Sequence, residues 1–326
     1  MNSCFFAVFF GLSFLFSTVH ALDPKFSIAT ENIKEENLKH FVTELASPKY
    51  EGRLPGSRGD KLSTQFIINE FKKYGLQPGH KRSYSQSFYT ELTAVGNTDG
   101  DHTKVLTSNI IGILPGNDKK LKNEIILISA HKDHLGKNKG EIFPGANDDA
   151  SGVAAMLEIA RAFSNLKMIN KRTLVFVAFG AEEQEKMGSM HFVKSPPSSV
   201  KLKNIIFMTS IDMIGLNYEE WASLPQKKID HISETWFKEV FNDKMTDSDK
   251  YSHEYAANSP SKKRKEDSYD YDAGPFADLK IKNRVFGIAD SEHYHEPSDT
   301  ASTLQYPPMT NLTKAIFHFL VRLDTK

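Results

Sequence analysis

Cysteine is nearly absent: Cys4 is the only one in 326 residues. A lone cysteine cannot close a disulfide within its own chain, so this is no disulfide-stapled scaffold. Cys4 also sits in an apolar leader, which leaves the rest of the chain without a thiol nucleophile. Any metal held there must be bound by His, Asp and Glu. An excess of charge is missing too, with Lys+Arg and Asp+Glu both at 41. That balance argues against a protein built mainly to grip nucleic acid, whose mark is a basic surplus. It argues equally against an acidic disordered tail. Beyond the leader there is no apolar run of the roughly 20 residues that a membrane span needs. No internal repeat is visible. What is present is ordinary globular material, 39% hydrophobic and 25% charged, enough for one large domain or two modest ones.

Residues 1–21 contain no Asp, Glu, Lys or Arg. Phe5 to Phe16 is almost wholly apolar, and Val19-His20-Ala21 has the small-residue pattern of a cleavage site. The segment reads as a signal peptide removed after about Ala21, although it lacks a basic residue ahead of the apolar run. The mature chain, 22–326, is then expected to be secreted or periplasmic, with no stable membrane association. A membrane anchor is the alternative, but the run is short for one.

Helical spacing is seen over 30–46 and 60–74, the second carrying Leu62, Phe66, Ile67 and Phe71 on one face. Apolar runs of strand length lie at 109–114, 125–129, 173–179, 205–211 and 285–289. Helical patterns at 151–163, 182–193 and 309–323 alternate with them. Such alternation predicts an α/β fold, a mixed and largely parallel central sheet with helices on both faces. Residues 216–272 break the rhythm. They are polar, and Lys262-Lys-Arg-Lys265 is followed by Glu266, Asp267, Asp270 and Asp272. Positives followed by negatives make a solvated segment, read as a helix plus a loop inserted before the last strand. The organisation expected is one domain, with N-terminal helices and loops at 22–108 and a catalytic core at 109–326.

In open α/β sheets ligands bind beyond the carboxyl ends of the strands. The apolar run at 125–129 is followed by His131, Asp133 and His134, and the run at 173–179 by Glu182 and Glu183. Asp212 closes a third, and His293, Tyr294 and His295 follow a fourth. Asn147-Asp148-Asp149 precedes a helix, where it can cap the helix and face the same edge. Each feature alone has a structural explanation: a surface histidine, a helix cap, a charge at the positive end of a helix dipole. Together, five separate segments deliver carboxylates and imidazoles to one rim. Three carboxylates and two imidazoles suffice for two zinc ions if one carboxylate bridges. Three carboxylates and a hydroxide would balance the four positive charges. A further carboxylate, Glu182, is then free to take a proton from water.

These residues resemble the di-zinc aminopeptidase family of the bacterial leucyl aminopeptidase and aminopeptidase Y type, in the zinc exopeptidase clan. The resemblance rests on Ser129-Ala-His-Lys-Asp-His-Leu-Gly136, Pro144-Gly-Ala-Asn-Asp-Asp-Ala-Ser-Gly152 and Val177-Ala-Phe-Gly-Ala-Glu-Glu-Gln184. Ile211-Asp-Met-Ile-Gly215 and Tyr294-His-Glu-Pro-Ser-Asp-Thr300 complete the set in family order. It implies a three-layer α/β/α zinc-exopeptidase fold of the phosphorylase/hydrolase-like kind. It further implies that His131, Asp148 and Asp212 hold one zinc, and that Asp148, Glu183 and His295 hold the other, with Asp148 bridging. Co²⁺ or Mn²⁺ could stand in, since they accept the same donors. Glu182 would be the general base, Asp133 would orient His131, and Tyr294 would donate to the oxyanion. His134, Asp149 and His293 would not be direct ligands.

Two departures stand out. Relatives often carry Ser-Asp-His-x-Pro-Phe where this chain has Tyr271-Asp-Ala-Gly-Pro-Phe276, so their His is Ala273 here. Many also carry a protease-associated domain, for which the 30 residues between Pro78 and Asn109 leave no room. The expected activity is removal of N-terminal residues from peptide substrates. The alternatives are a carboxypeptidase or dipeptidase of the same clan, a glutaminyl-cyclase-like acyltransferase, and a non-catalytic binding domain. A carboxypeptidase needs a basic group for the substrate's terminal carboxylate, which Arg284 or Lys262–Lys265 could supply. Cyclase-like relatives work with one zinc, and a binding domain would have lost ligands that are all present here.

Overall fold

The computed structural model describes residues 24–92, 103–166, 170–216, 222–241, 271–287 and 291–326. The leader 1–21 and the Lys262–Lys265 cluster lie outside these described residues. In chain order the strands are β1 (Gln77–Pro78), β2 (Ser85–Leu92), β3 (Thr103–Leu114), β4 (Ile125–His131), β5 (Gly136–Asn138), β6 (Glu141–Phe143), β7 (Thr173–Phe179), β8 (Ile205–Ile211) and β9 (Asn283–Phe286). The helices are α1 (Pro24–Glu31), α2 (Glu35–Leu45), α3 (Arg58–Lys73), α4 (Gly152–Asn165), α5 (Met187–Lys194), α6 (Gln226–Phe241), α7 (Gly274–Asp278) and α8 (Tyr306–Thr325).

The main sheet has the order β1-β3-β7-β4-β8-β9, with β2 also paired to β3. β7, β4, β8 and β9 are mutually parallel, while β3 runs antiparallel to β7. Every residue of β4 is buried, so its two faces feed two cores. Ile126, Ile128 and Ala130 pack with α4 and α8, whose buried residues include Ala155, Ile159, Ile316 and Phe319. Ile125 and Leu127 pack on the other side with Phe192 of α5 and Phe276 of α7. The result is the three-layer α/β/α arrangement, with the mixed, largely parallel sheet expected from the sequence. Among the described residues no helix is long and apolar enough to cross a membrane.

Three elements differ from the sequence reading. The helix expected over 30–46 is two, α1 and α2, broken where Lys34 is extended and its N–H donates to Glu158 Oε2 at 3.2 Å. The helix expected from 182 begins at Met187. Glu185 and Lys186 have left-handed backbones, which a right-handed helix running on from 182 cannot contain. The stretch expected to be an insertion supplies α6, which buries Trp236 against Phe286 and Phe319, with ring centroids 4.9 and 6.3 Å apart. That helix is part of the core. Residues 242–270, expected as the loop of the insertion, lie outside the described residues.

Candidate metal centre

The strand order reverses around β4. The chain passes from β4 through α4 to β7 on one side, then crosses to β8 on the other. The carboxyl ends of these strands therefore face a crevice at a topological switch point. His131 is the last residue of β4, Glu182 and Glu183 follow β7, and Asp212 follows β8. Asp148 lies in the irregular turn at Ala146–Ser151, just before α4, with a non-helical backbone (φ −110°, ψ 93°). His295 comes from the loop after β9. The non-glycine residues Ala181, Met213 and His295 are left-handed, with φ of 58, 53 and 57°. Each lies in or beside a candidate site residue, where folds commonly tolerate such strain.

The five residues that the resemblance assigns to metals converge. His131 Nε2 lies 3.1 Å from Asp148 Oδ1 and 3.7 Å from Asp212 Oδ1. His295 Nε2 lies 3.2 Å from both Asp148 Oδ2 and Glu183 Oε2. Asp148 thus turns one oxygen to each histidine. His134 stands outside this pair, its Nδ1 2.8 Å from Glu183 Oε1 and 3.8 Å from Asp148 Oδ2. Asp149 is near enough to His131 and Asp212 to share an ion with them. Its carboxylate, however, already accepts from the backbone N–H groups of His131, Gly152 and Met213. Asp133 Oδ1 is 3.9 Å from His131 Nδ1, beyond hydrogen-bond reach. Its hydrogen bonds come instead from the amides of Glu182 at 3.1 Å and Glu183 at 3.3 Å. Tyr294 is 43% exposed and stacks on His295 at 3.8 Å between ring centroids. His293 points elsewhere, to Ser298.

The electrostatics fit a cationic guest. Asp133, Asp148, Asp149, Asp212 and Asp272 are all buried around one rim. Buried charge of one sign calls for pairing or for metal. Ring nitrogens without a hydrogen bond are also present: His131 Nδ1, His134 Nε2 and His295 Nε2. Imidazole and carboxylate oxygen together suit zinc. The paired glutamates shift in opposite directions. Burial pushes the Glu182 carboxyl well up, aided by Asp272, Glu183 and Asp212 against the pull of His131. Burial acts the same way on Glu183, but His134 and His295 hold it below the usual range. Asp148 is held well below it against burial by His131, His134 and His295. Opposite shifts in adjacent carboxyls separate a proton acceptor from an anionic ligand.

Two residues of this framework were not singled out in the sequence. Asp299 accepts from the backbone N–H of Asn147 at 2.8 Å and of Asp148 at 3.1 Å. Its signal was the conspicuous position in the Tyr294–Thr300 motif. Arg53, 1% exposed, donates to backbone carbonyls around the same loops. No spacing pattern in the sequence announced it. At the departure noted above, Ala273 is fully buried in the cluster with Phe179, Phe192 and Phe276. Beside it burial pushes the Asp272 carboxyl up to about 7, helped by Asp133 and Asp212.

Residues 109–320 match peptidase family M28. Aminopeptidase YwaD of Bacillus subtilis (strain 168) is 35% identical over 132 residues, which is 39% of this chain and 26% of that protein. The matched stretch therefore spans about a quarter of this curated relative's length. Among solved structures, BSAP, a zinc aminopeptidase from Bacillus subtilis, superposes with a TM-score of 0.62 at 16% identity, covering 88% of this chain and 95% of that one. A glutaminyl cyclase from Bacteroides thetaiotaomicron superposes with a TM-score of 0.60 at 18% identity, covering 89% and 98%. At these identities the two structures share the fold.

Proposed function

The chain belongs to peptidase family M28, and from that premise we propose that it is a secreted or periplasmic di-zinc aminopeptidase acting on peptides with a free amino end. The observation that carries the reading is Asp148, with one oxygen toward His131 and the other toward His295. A carboxylate so placed can serve two ions. His131 and Asp212 would complete one site, Glu183 and His295 the other. Bound zinc would polarise the scissile carbonyl and make the attacking water more acidic. Glu182 is the residue to take that water's proton and pass it to the leaving amine, because burial keeps its carboxyl basic. Asp133 holds the Glu182–Glu183 backbone in place through two hydrogen bonds. Tyr294, stacked on His295, would donate its hydroxyl to the developing oxyanion.

A glutaminyl-cyclase-like acyl transfer is the second reading, favoured by the shared fold. The full set of five candidate ligands favours hydrolysis instead. The test is incubation of purified mature chain, zinc-loaded or chelated, with matched peptides whose amino ends are free or acetylated, and with an N-terminal glutaminyl peptide. Stepwise cleavage of the free set alone, lost on chelation, is expected. Cleavage of the acetylated set would move the chain to the carboxypeptidase branch. Ring closure of the glutaminyl peptide without cleavage would establish the cyclase reading.

A further inference from the structure

Residues Glu51, Gly52 and Arg53 all have left-handed backbones, with φ of 51, 69 and 52°. Two of them are not glycine, so the turn is strained. Gly52 fits because an added Cβ would lie 2.4 Å from the carbonyl oxygens of Gly136 and Phe143. The turn drives the Arg53 side chain inward. Its Nε donates to Lys132 O at 2.9 Å. Nη1 donates to Leu45 O at 2.9 Å and Pro144 O at 2.7 Å. Nη2 donates to Gly145 O at 2.8 Å and, more weakly, to Asp148 O at 3.4 Å. A guanidinium has five N–H groups, and each here meets a carbonyl. None of these acceptors is a carboxylate, although a buried arginine ordinarily takes one.

The choice of carbonyls gives the arrangement its meaning. Lys132 lies between His131 and Asp133. Pro144, Gly145 and Asp148 belong to the loop of the candidate bridging ligand. The Lys132 side chain is itself paired with buried Asp60, which also accepts from Gly56 N and Thr107 Oγ1 at 2.9 Å. Both Arg53 and Asp60 lie outside the 109–320 family match. We propose that Arg53 is a positioning residue for the metal centre, fixing the loop of His131 and Asp133 against the loop of Asp148 so that the ligands stand at metal-binding distance before an ion arrives. The inference rests on the reading of this cluster as a zinc site.

The test is zinc affinity by chelator competition, with the Co²⁺ absorption spectrum as a readout of ligand geometry. Arg53→Lys keeps the charge but offers three donors in place of five. It is expected to lower zinc affinity by about 10–100-fold, the usual effect of removing a group that orients metal ligands. It should also alter the Co²⁺ bands. Arg58→Lys, at a side chain 66% exposed, should change neither. A lower melting temperature of the chelated variant with unchanged zinc affinity and Co²⁺ spectrum would make Arg53 merely structural and overturn the proposal. If Arg53→Lys does not fold, the wild-type protein decides. Its Arg53 Nε–H nuclear magnetic resonance signal should be protected from solvent exchange before any zinc is added, and a signal that exchanges freely until zinc binds overturns the proposal. A wild-type chain that takes up no zinc would instead sink the metal reading itself.

Discussion

The carboxylate of Asp299 accepts the backbone N–H of Asp148 at 3.1 Å, tying the loop of His295 to the candidate bridging ligand. Its other oxygen accepts from Asn147 N at 2.8 Å. Asparagine at this position can accept only one of these bonds, and its amide would face an N–H donor. A buried donor left without a partner costs about 1–3 kcal/mol. Asp299→Asn is therefore expected to weaken zinc binding on the order of 10–100-fold while leaving every candidate ligand intact. Chelator competition checks it, and wild-type affinity in the variant would remove Asp299 from the framework.

Asp148 and Glu182 should fail in different ways. Asp148 faces both histidines, so Asp148→Ala is expected to lose both metals, read as zinc per chain after dialysis. Two tightly held ions in that variant would refute the bridge. Glu182→Gln should keep its zinc and lose nearly all turnover, because the amide cannot take a proton. If zinc departs together with activity, the roles of Glu182 and Glu183 have been exchanged.

The pH dependence follows from His295. Burial acts to lower its imidazole, but Asp148 and Glu183 raise it to about 10 in the metal-free protein. The unfolded value is near 6.5. A raised folded value stabilises fully below 6.5, and that contribution is lost as pH climbs through about 10. The metal-free form should thus lose stability across that window. Zinc needs the neutral ring, so uptake at pH 7 must expel this proton, and affinity should climb with pH. Calorimetric titration in buffers of different ionisation enthalpy reads the release directly. Identical heats in every buffer would contradict it.

The candidate ligands were legible because each follows an apolar strand run or opens an apolar helix, so position along the chain stands in for position on the sheet edge. Arg53 and Asp299 were not, for a shared reason. They act on backbone carbonyls and amides, which every residue carries, so nothing in the sequence marks their partners. The helix start at Met187 rather than 182 has a different cause, since Glu185 and Lys186 take left-handed backbones that no turn residue such as glycine announces. The core role of α6 was hidden by composition. Its sequence is mostly polar, and among its described side chains two apolar residues, Ile229 and Trp236, are fully buried in the core.

Trp236 gives that role a measurable consequence. It is 1% exposed, packed on Phe286 and Phe319, with the Arg284 guanidinium 5.1 Å from its ring centroid. Removing a buried indole usually costs about 3–5 kcal/mol. Trp236→Ala should lower the unfolding free energy by that amount, measured by denaturant titration of the zinc-free form. The effect should also reach the metal centre. Phe286 O accepts the backbone N–H of Asp212 at 2.9 Å, so the ring that Trp236 supports belongs to the residue anchoring a candidate ligand. Of the two ions, the one assigned to His131, Asp148 and Asp212 should be weakened more, separating two zinc-binding steps in a titration. Trp236→Phe retains an aromatic partner for Phe286 and should largely restore both stability and the stronger step. Equal weakening of the two steps would mean that the helix steadies the domain without steering Asp212. A Trp236→Ala chain as stable as wild type would return α6 to the status of an appendage.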